Sequence, residues 1–321
     1  MEIIRDPDNY RPVDGTGAGV AHALTIGVYD GVHLGHQAVI RSTQRQAAVL
    51  GVEMAVVTFE PHPARVLRPE SAPLLLIDLE QKLELLERQG VDRTVVVPFT
   101  AERSHETADE FIERILVGCL NARAVIVGRD FHFGANRAGN VDTLRAAGAR
   151  LGFVTEGVEL LPRPDARIES VSSTAIRRAL AGGEVTIAAR MLGRHHEIRG
   201  PVVTGDQRGR TIGFPTANVA VPKGMALPAD AVYAGWYVGP DGHRWPAAVN
   251  VGKRPTFYRD QEHSLVEAHL VGFDGDLYGQ SARVQLVDLI RSEQRFAGIE
   301  ALKEQLERDI QSATEILDRH R

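Results

Sequence analysis

Cysteine is almost missing from this chain. Among 321 residues only Cys119 is present, so no internal disulfide can form and a reducing, cytoplasmic setting is expected. Long apolar runs are missing as well. PLLLI and TVVVPF are far too short to span a bilayer, and the opening MEIIRDPDNYRP is polar and proline-broken, unlike a secretory signal. No run of lysine and arginine stands out, and a net charge of -5 with a pI near 6.2 argues against extended binding of nucleic acid or an anionic membrane. A local cationic pocket for a phosphate is still compatible with that charge. Lysine is scarce throughout the first half, where Lys82, on an expected helix face, is the only one. Neither a P-loop lysine nor a KMSKS-type loop is therefore available there. No internal repeat or low-complexity tract is found, and nothing specifies an oligomeric state, so a homo-oligomer stays open.

What is present is globular: 43% hydrophobic and 25% charged residues, over a length that suits about two domains. From residue 22 to about 160, short β-branched runs alternate with amphipathic helical ones. ALTIGVY (23–29) precedes a helix over 36–50, and EMAVVTFE follows. Helices are expected near 79–89, 107–119 and 141–151, with strands RTVVVPF, RAVIVG and FVTEGVEL between and after them. Alternation of this kind predicts crossovers, a parallel sheet and a doubly wound, Rossmann-like α/β fold. Two further helices, 173–181 and 184–192, lead to a change of grammar beyond His195. Glycine, proline and short alternating strands then predict a small antiparallel β-barrel, closed by a helix over 299–318. The boundary is placed between 183 and 195, separating a domain of residues 1–183 from one of 184–321.

The first strand runs into GVYDGVHLGH, where His33 and His36 fall at a strand-to-helix turn with Gly31 and Gly35. In a doubly wound sheet, ligands bind beyond the carboxyl ends of the strands, and a helix N-terminus there attracts phosphate. Positions i and i+3 of a starting helix share a face, so both imidazoles can address one anion, and as imidazolium groups they could stabilise a phosphate under attack. Gly35 leaves room for a nucleotide against the backbone. Further on, VSSTAIRRAL offers Ser173 and Thr174 as cap residues and phosphate donors, with Arg177 one turn later as a permanently charged bidentate donor. In the second half, GDQRGRTIGFPTANV carries Gly205, Arg210 and Gly213 in a loop able to wrap phosphate with backbone amides. Thr216 and Asn218 alternate after Pro215 and face one way, as hard oxygen ligands suited to Mg²⁺. Two other stretches mislead. GTGAG (15–19) precedes the first strand instead of following it, and the adjacent His195 and His196 point to opposite faces of a strand, with no partner at ligand spacing.

GVYDGVHLGH resembles the HxGH signature of the nucleotidylyltransferases, and more narrowly the adenylyltransferase half of the bacterial bifunctional riboflavin kinase/FAD synthetases. TFEPHP (58–63), VGRDFHFGANRAGN (127–140) and VSSTAIRRAL agree with that family, as do GFPTAN, NVGKRPTF (250–257) and VEAHLVGFDGDLYG (266–279) with its kinase module. Minor departures are Glu60 where aspartate is usual, Asp78 where a threonine commonly caps the helix, GRHHEI at the linker, and Lys253. The resemblance implies ATP, riboflavin and FMN as substrates and Mg²⁺ as the metal. It implies flavin contacts from Phe59, His62, Asp130 and Phe131, with Arg291 near the flavin or nucleotide. It also implies that Glu267 is the base of the kinase, which matches the need for a carboxylate to deprotonate a primary hydroxyl. The expected chemistry is phosphorylation of riboflavin to FMN in the barrel, then joining of FMN and ATP into FAD with release of pyrophosphate. There His33 and His36 stabilise the α-phosphorus while Ser173, Thr174 and Arg177 hold the remaining phosphates. One rival reading is a nucleotidylyltransferase for another phosphorylated metabolite; another is a flavin-binding protein whose barrel has lost turnover.

Overall fold

The apolar runs of the first half lie side by side. The computed structural model describes residues 1–10, 19–159, 161–163, 166–205, 209, 212–252 and 263–320. Its first elements are β1 (Glu2–Ile4), β2 (His22–Ile26), α1 (Leu34–Leu50), β3 (Glu53–Glu60), α2 (Pro63–Leu67), α3 (Leu79–Arg88) and β4 (Arg93–Pro98). There follow α4 (Ala108–Phe111), β5 (Ala122–Gly128), α5 (Val141–Leu151) and β6 (Val154–Val158). The six strands form one parallel sheet in the order β1-β4-β3-β2-β5-β6. Leu24, Ala55, Val57, Val95, Val125 and Val127 are buried in its core, as expected for strands covered on both faces. From β2 the chain winds outward to β3 and β4, then crosses back to β5 on the other side of β2. The order therefore reverses between β2 and β5, and the turns that leave these two strands flank the crevice where such sheets take ligands.

Local signals explain most helix ends. Asp78 caps α3 in a reciprocal box with Gln81, and Asn140 does the same for α5 with Thr143. α1 and α5 stop at Gly51 and Gly152, both left-handed. The helix expected over 107–119 begins as α4, capped by Thr107, and widens into a π-helix at Ile112–Cys119. That winding keeps Ile112, Ile115, Leu116 and Cys119 in the core. A two-stranded hairpin, β7 (Pro162–Arg163) and β8 (Ala166–Ser170), follows β6.

The second half contains α6 (Ser173–Ala181), α7 (Val185–Leu192), β9 (His196–Val203), β10 (Ala217–Pro222), β11 (Ala231–Val238), β12 (Arg244–Val251), β13 (His263–Leu270), β14 (Ser281–Ser292) and α8 (Ile299–Asp318). The strands close a six-stranded antiparallel barrel in the order β10-β13-β12-β11-β14-β9, with β9 and β10 pairing to complete it. Ala313 and Leu317 of α8 pack on Ala234, Trp236 and Val287. By packing, the chain forms two compact units, Met1–Pro73 with Asp78–Val171, and Leu74–Ile77 with Ser172–Arg321. Helix α6 thus groups with the barrel, although the change of sequence grammar lies beyond it. The reason is local: α6 packs on α7, α7 packs on β9 and β14, and the Ala229 amide donates to the Leu180 carbonyl.

Candidate active sites

The turn between β2 and α1 is the most constrained backbone of the first unit. After Ile26 the chain leaves the sheet, earlier than the expected end at Tyr29, because Tyr29 adopts φ 54°. Gly31 follows at φ 90° and Val32 at φ 39°. A β-branched residue there is strained, and strain of this kind concentrates at functional sites. Burial supports it: Tyr29, Asp30, Gly31, Val32 and His33 are all buried. The Tyr29 hydroxyl bonds to Thr25 Oγ1 at 2.7 Å, and burial drives its pKa upward.

Helix α1 starts at Leu34, with His33 as its N-cap. Nδ1 of His33 accepts the His36 backbone N–H at 3.3 Å. The lone pair therefore sits on Nδ1 and the ring proton on Nε2. In this capping arrangement Nε2–H is the donor that His33 has left to offer. The two imidazoles stack, with centroids 3.6 Å apart and 17° between planes, and Tyr29 lies 5.0 Å from His36. Gly35 also has a use inside the protein. A Cβ there would meet the His33 ring at 3.1 Å, so the missing side chain makes room for that imidazole.

Around the neighbouring strand ends, Phe59 is the penultimate residue of β3 and Phe131 follows β5, and the structure links them through a run of rings. Phe59 lies 6.0 Å from Phe111, Phe111 5.8 Å from Phe133, and Phe133 stacks on Phe131 at 5.5 Å. Residues 133–139 are tied by a pair of backbone bonds between Phe133 and Gly139. A Cβ on Gly134 would strike Ala108 at 2.7 Å, so this loop is pressed against the start of α4. Asp130 is exposed, and its carbonyl lies 2.8 Å from His132 Nδ1. His62 caps α2, with Nδ1 accepting from Ala64 N–H at 3.1 Å.

Ser173, Thr174 and Arg177 lie on α6, in the second unit. The cap of this helix is Ser172, whose hydroxyl accepts from the Ala175 amide at 3.2 Å. This corrects the expected capping role of Ser173 and Thr174, which occupy the first helical turn. Arg177 Nε donates to the Leu74 carbonyl at 2.5 Å.

In the barrel, register gathers what the sequence scatters. Asn218 of β10 pairs with Glu267 of β13, and Glu267 pairs in turn with Asn250 of β12. Directly opposed residues stand about 5 Å apart on one face, so these three polar side chains form a row. Val219, Val249, Val266 and Ala268 occupy the opposite, fully buried face. Asn218 is 6% exposed, and a Cβ on Gly205 would sit 2.6 Å from its carboxamide. The Gly205 backbone is thus the floor on which Asn218 rests. Thr216 is half-buried and two residues from Asn218, on the same side of an extended segment. Phe214 N–H closes a tight turn onto the Gly209 carbonyl at 2.8 Å, with Gly213 at φ 91°. Arg210 falls outside the described residues.

Thr216 and Asn218 offer a hydroxyl and an amide oxygen, and Glu267 a carboxylate nearby, a donor set that fits a hard cation such as Mg²⁺. Among the described residues no group of three or more His, Cys, Asp or Glu side chains could hold a metal ion. This arrangement suits an ion that takes part of its coordination from nucleotide phosphates.

Arg291 does something the sequence did not suggest. Its Nε and Nη2 make a forked pair with Asp309 of α8 at 2.9 and 2.7 Å, and Asp309 is 1% exposed. Arg291 therefore clamps the closing helix to β14. His196 opens β9, buried, with Nε2 3.2 Å from the Ala226 carbonyl, and burial lowers its pKa to about 4. Two residues escaped sequence reasoning. Asn250 sits beside Glu267 only because β12 and β13 pair, and Lys82 is buried instead of lining a surface. For Lys82 a signal existed, in that it is the one lysine of the first half.

Comparison with known proteins also finds two parts in the chain. A family model described as FAD synthetase matches residues 19–175, and one described as riboflavin kinase matches 192–317. A bifunctional riboflavin kinase/FMN adenylyltransferase of Pseudomonas fluorescens is 40% identical over 313 residues, covering 98% of this chain and 97% of its own. Proteins of the same name from Escherichia coli (38%, covering 98% and 97%) and Bacillus subtilis (37%, covering 90% of each) are also similar. A crystal structure named for a macrolide-efflux protein of Streptococcus pneumoniae superimposes with a TM-score of 0.84 at 28% identity, over 97% of this chain and 98% of that one. No helix among the described residues is long and apolar enough to cross a membrane.

Proposed function

The chain belongs to the bifunctional riboflavin kinase/FMN adenylyltransferase family, and from that premise we propose how its residues divide the two reactions. The protein phosphorylates riboflavin with ATP to FMN, and adenylylates FMN with a second ATP to give FAD and pyrophosphate. We assign the kinase to residues 184–321 and the adenylyltransferase to 1–183.

In the kinase step, Glu267 takes the proton of the ribityl primary hydroxyl as its oxygen attacks the γ-phosphorus of ATP. The bond from that phosphorus to the β–γ bridging oxygen breaks, and ADP leaves. Asn218 and Thr216 would hold Mg²⁺ with the nucleotide, where the ion supplies neutralisation of phosphate charge. Gly205, Gly213 and Arg210 are the assigned phosphate contacts. The single observation that carries this reading is the cross-strand row Asn218–Glu267–Asn250, which puts a carboxylate beside amide groups on paired strands.

In the adenylylation step, an oxygen of the FMN phosphate attacks the α-phosphorus of ATP, the α–β bridging bond breaks, and pyrophosphate departs. No protein nucleophile is needed. His33 donates through Nε2–H, its tautomer held by the cap at Nδ1, and His36 stacked on it shares the task of stabilising charge at phosphorus. Gly31 and Gly35 let the turn close around the phosphate. Ser173, Thr174 and Arg177 are assigned to the phosphates of the nucleotide. Phe59, His62, Asp130 and Phe131 are assigned to the flavin, and the connected rings of Phe59, Phe111, Phe133 and Phe131 support this by offering flat apolar surface. Arg291 is assigned a place near the flavin or nucleotide only through its hold on α8. Dependence on cellular ATP and the single cysteine favour a cytoplasmic enzyme that takes small molecules as its partners.

Incubating the protein with riboflavin, ATP and Mg²⁺ and resolving the flavins by chromatography tests the scheme. FMN followed by FAD is expected. FMN alone would remove the role given to the His33 turn.

A further inference from the structure

Lys82 is the only lysine among residues 1–183, and helix α3 carries it into the interior, where it is 5% exposed. Its Nζ donates to Thr58 Oγ1 at 3.4 Å and to the Phe59 carbonyl at 3.5 Å, both at the outer limit for such bonds. Among the described residues it has no ion-pair partner. Two carboxylates lie near enough to favour its charge, Glu60 at the end of β3 and Asp30 in the β2–α1 turn, yet burial outweighs them and lowers its pKa. A buried ammonium with three donors and two long acceptors is a poor way to fill a core. Methionine would pack there without that penalty.

What Lys82 touches gives the charge a use. The Thr58 hydroxyl accepts from Nζ and donates its one proton to the Val28 carbonyl at 3.1 Å. Val28 begins the turn that contains Tyr29, Gly31, Val32 and His33, the turn with positive φ at three of those positions. Donation from the ammonium fills a lone pair of the hydroxyl and leaves its hydrogen committed to Val28. The same positive charge attracts Asp30, itself a residue of the turn. The strained segment is thus braced from β3 by one cation acting through one hydroxyl.

We propose that Lys82 is a positioning residue of the adenylylation reaction, setting the β2–α1 turn, and with it the His33 donor, through Thr58 and Asp30. This rests on the reading of that turn as the site of attack on ATP. Lys82 and Thr58 lie in the first unit and the barrel in the second, so the riboflavin kinase reaction controls for the second unit. Circular dichroism with two-transition thermal melting of each full-length variant controls for folding of the first; a variant that loses the first unit's transition counts against the proposal.

Steady-state rates of both reactions across about pH 6 to 10 for the wild type, Lys82→Met, Lys82→Arg, Thr58→Val and the Lys82→Met/Thr58→Val double variant make the test. Lys82→Met is expected to lower kcat for FAD formation by about a hundredfold, the scale of an ångström-sized misplacement, while kinase turnover stays unchanged. The double variant should be no worse than the single ones, as for two members of one linkage. Wild-type FAD formation should decline on the alkaline side as the ammonium loses its proton. Lys82→Arg, whose charge is permanent, should keep activity and shift that decline to higher pH. Wild-type FAD formation in Lys82→Met overturns the proposal, as does an equal loss of both reactions, or an alkaline decline unmoved in Lys82→Arg. His36→Ala run in parallel separates the two levels. If it leaves FAD formation intact, the site reading itself fails; if it stops FAD formation while Lys82→Met does not, only the role of Lys82 falls.

Discussion

In the assignment proposed above, the two units meet the same problem, transfer at a phosphorus of ATP, with opposite kinds of scaffold. The first puts its candidate donors, His33 and His36, on the short turn between β2 and α1 and on the first helical residues after it, a turn strained at Tyr29 and Val32 and buried at every position from 29 to 33. The second puts its polar groups on three separate strands and lets register bring them together. The assigned groups differ too: imidazoles at the start of α1, and oxygen donors with a carboxylate in the barrel. A short turn buys precision with backbone strain and burial, whereas the barrel obtains it from the pairing that already holds the fold.

If the division is real, single changes should break one reaction and spare the other. The largest effect is expected for Glu267→Ala, which should cut FMN formation by about a thousandfold, in the range for loss of a general base, and leave FAD formation from supplied FMN unaltered. Chromatography of flavin products reads both numbers at once. Next, His36→Ala should slow FAD formation by about a hundredfold or more, as for removal of an oxyanion donor, with FMN accumulating. Joint loss of both products in either variant, in a folded protein, would dissolve the contrast.

Arg291 sharpens it from the structural side. Arg291→Met leaves Asp309 buried without its forked partner, which should cost about 3 kcal/mol of barrel stability. Thermal melting should register that loss, and kinase turnover well below the new midpoint should be near wild type if the residue clamps α8 and does not touch the flavin.

A pH response confined to the barrel is graded, reaching the size of the Arg291 effect only toward about pH 4 and small near neutrality. Folding holds His196 neutral down to about pH 4, whereas its ordinary pKa is 6.5. Between those values the unfolded chain binds more protons, so the contribution is full above pH 6.5 and fades as pH falls toward 4, by up to about 3 kcal/mol. His196→Gln should flatten this slope in denaturant titrations. Glu197 titrates in a separate window. Burial would raise its pKa, but hydrogen bonds from Arg283, Gln285 and Arg199 hold it at about 2, so its contribution is present above the ordinary 4.5 and lost as pH falls from there toward 2.

Much of this was legible in the residues because the signals are local. The bounds of α5, α6 and α8 were expected as they stand, since a cap or a glycine marks most of those ends. GVYDGVHLGH is contiguous, and so was read as one site. Non-local facts were harder. Asn218 and Glu267 could be named from GFPTAN and VEAH, but their adjacency, and the place of Asn250 beside them, depend on how strands pair. Three residues cannot advertise β1, which is defined only by pairing with β4. The partners of Arg291 and Lys82 lie on other elements, 18 and 24 positions away, so both looked like surface or ligand-facing charges. The cap of α6 shifted by one residue because Ser172, Ser173 and Thr174 are equally good candidates and only the backbone chooses between them.

The row that joins Asn218, Glu267 and Asn250 gives the kinase site a parity. Alternate residues of a strand face opposite ways, so inserting or deleting one residue in β13 ahead of Ala268 would turn Glu267 toward the packed side and bring a neutral neighbour in its place. Two residues would preserve the facing and merely change the partner. Length variation among chains of this architecture should therefore gather in the connections between strands, and within β10, β12 and β13 should occur in pairs or not at all.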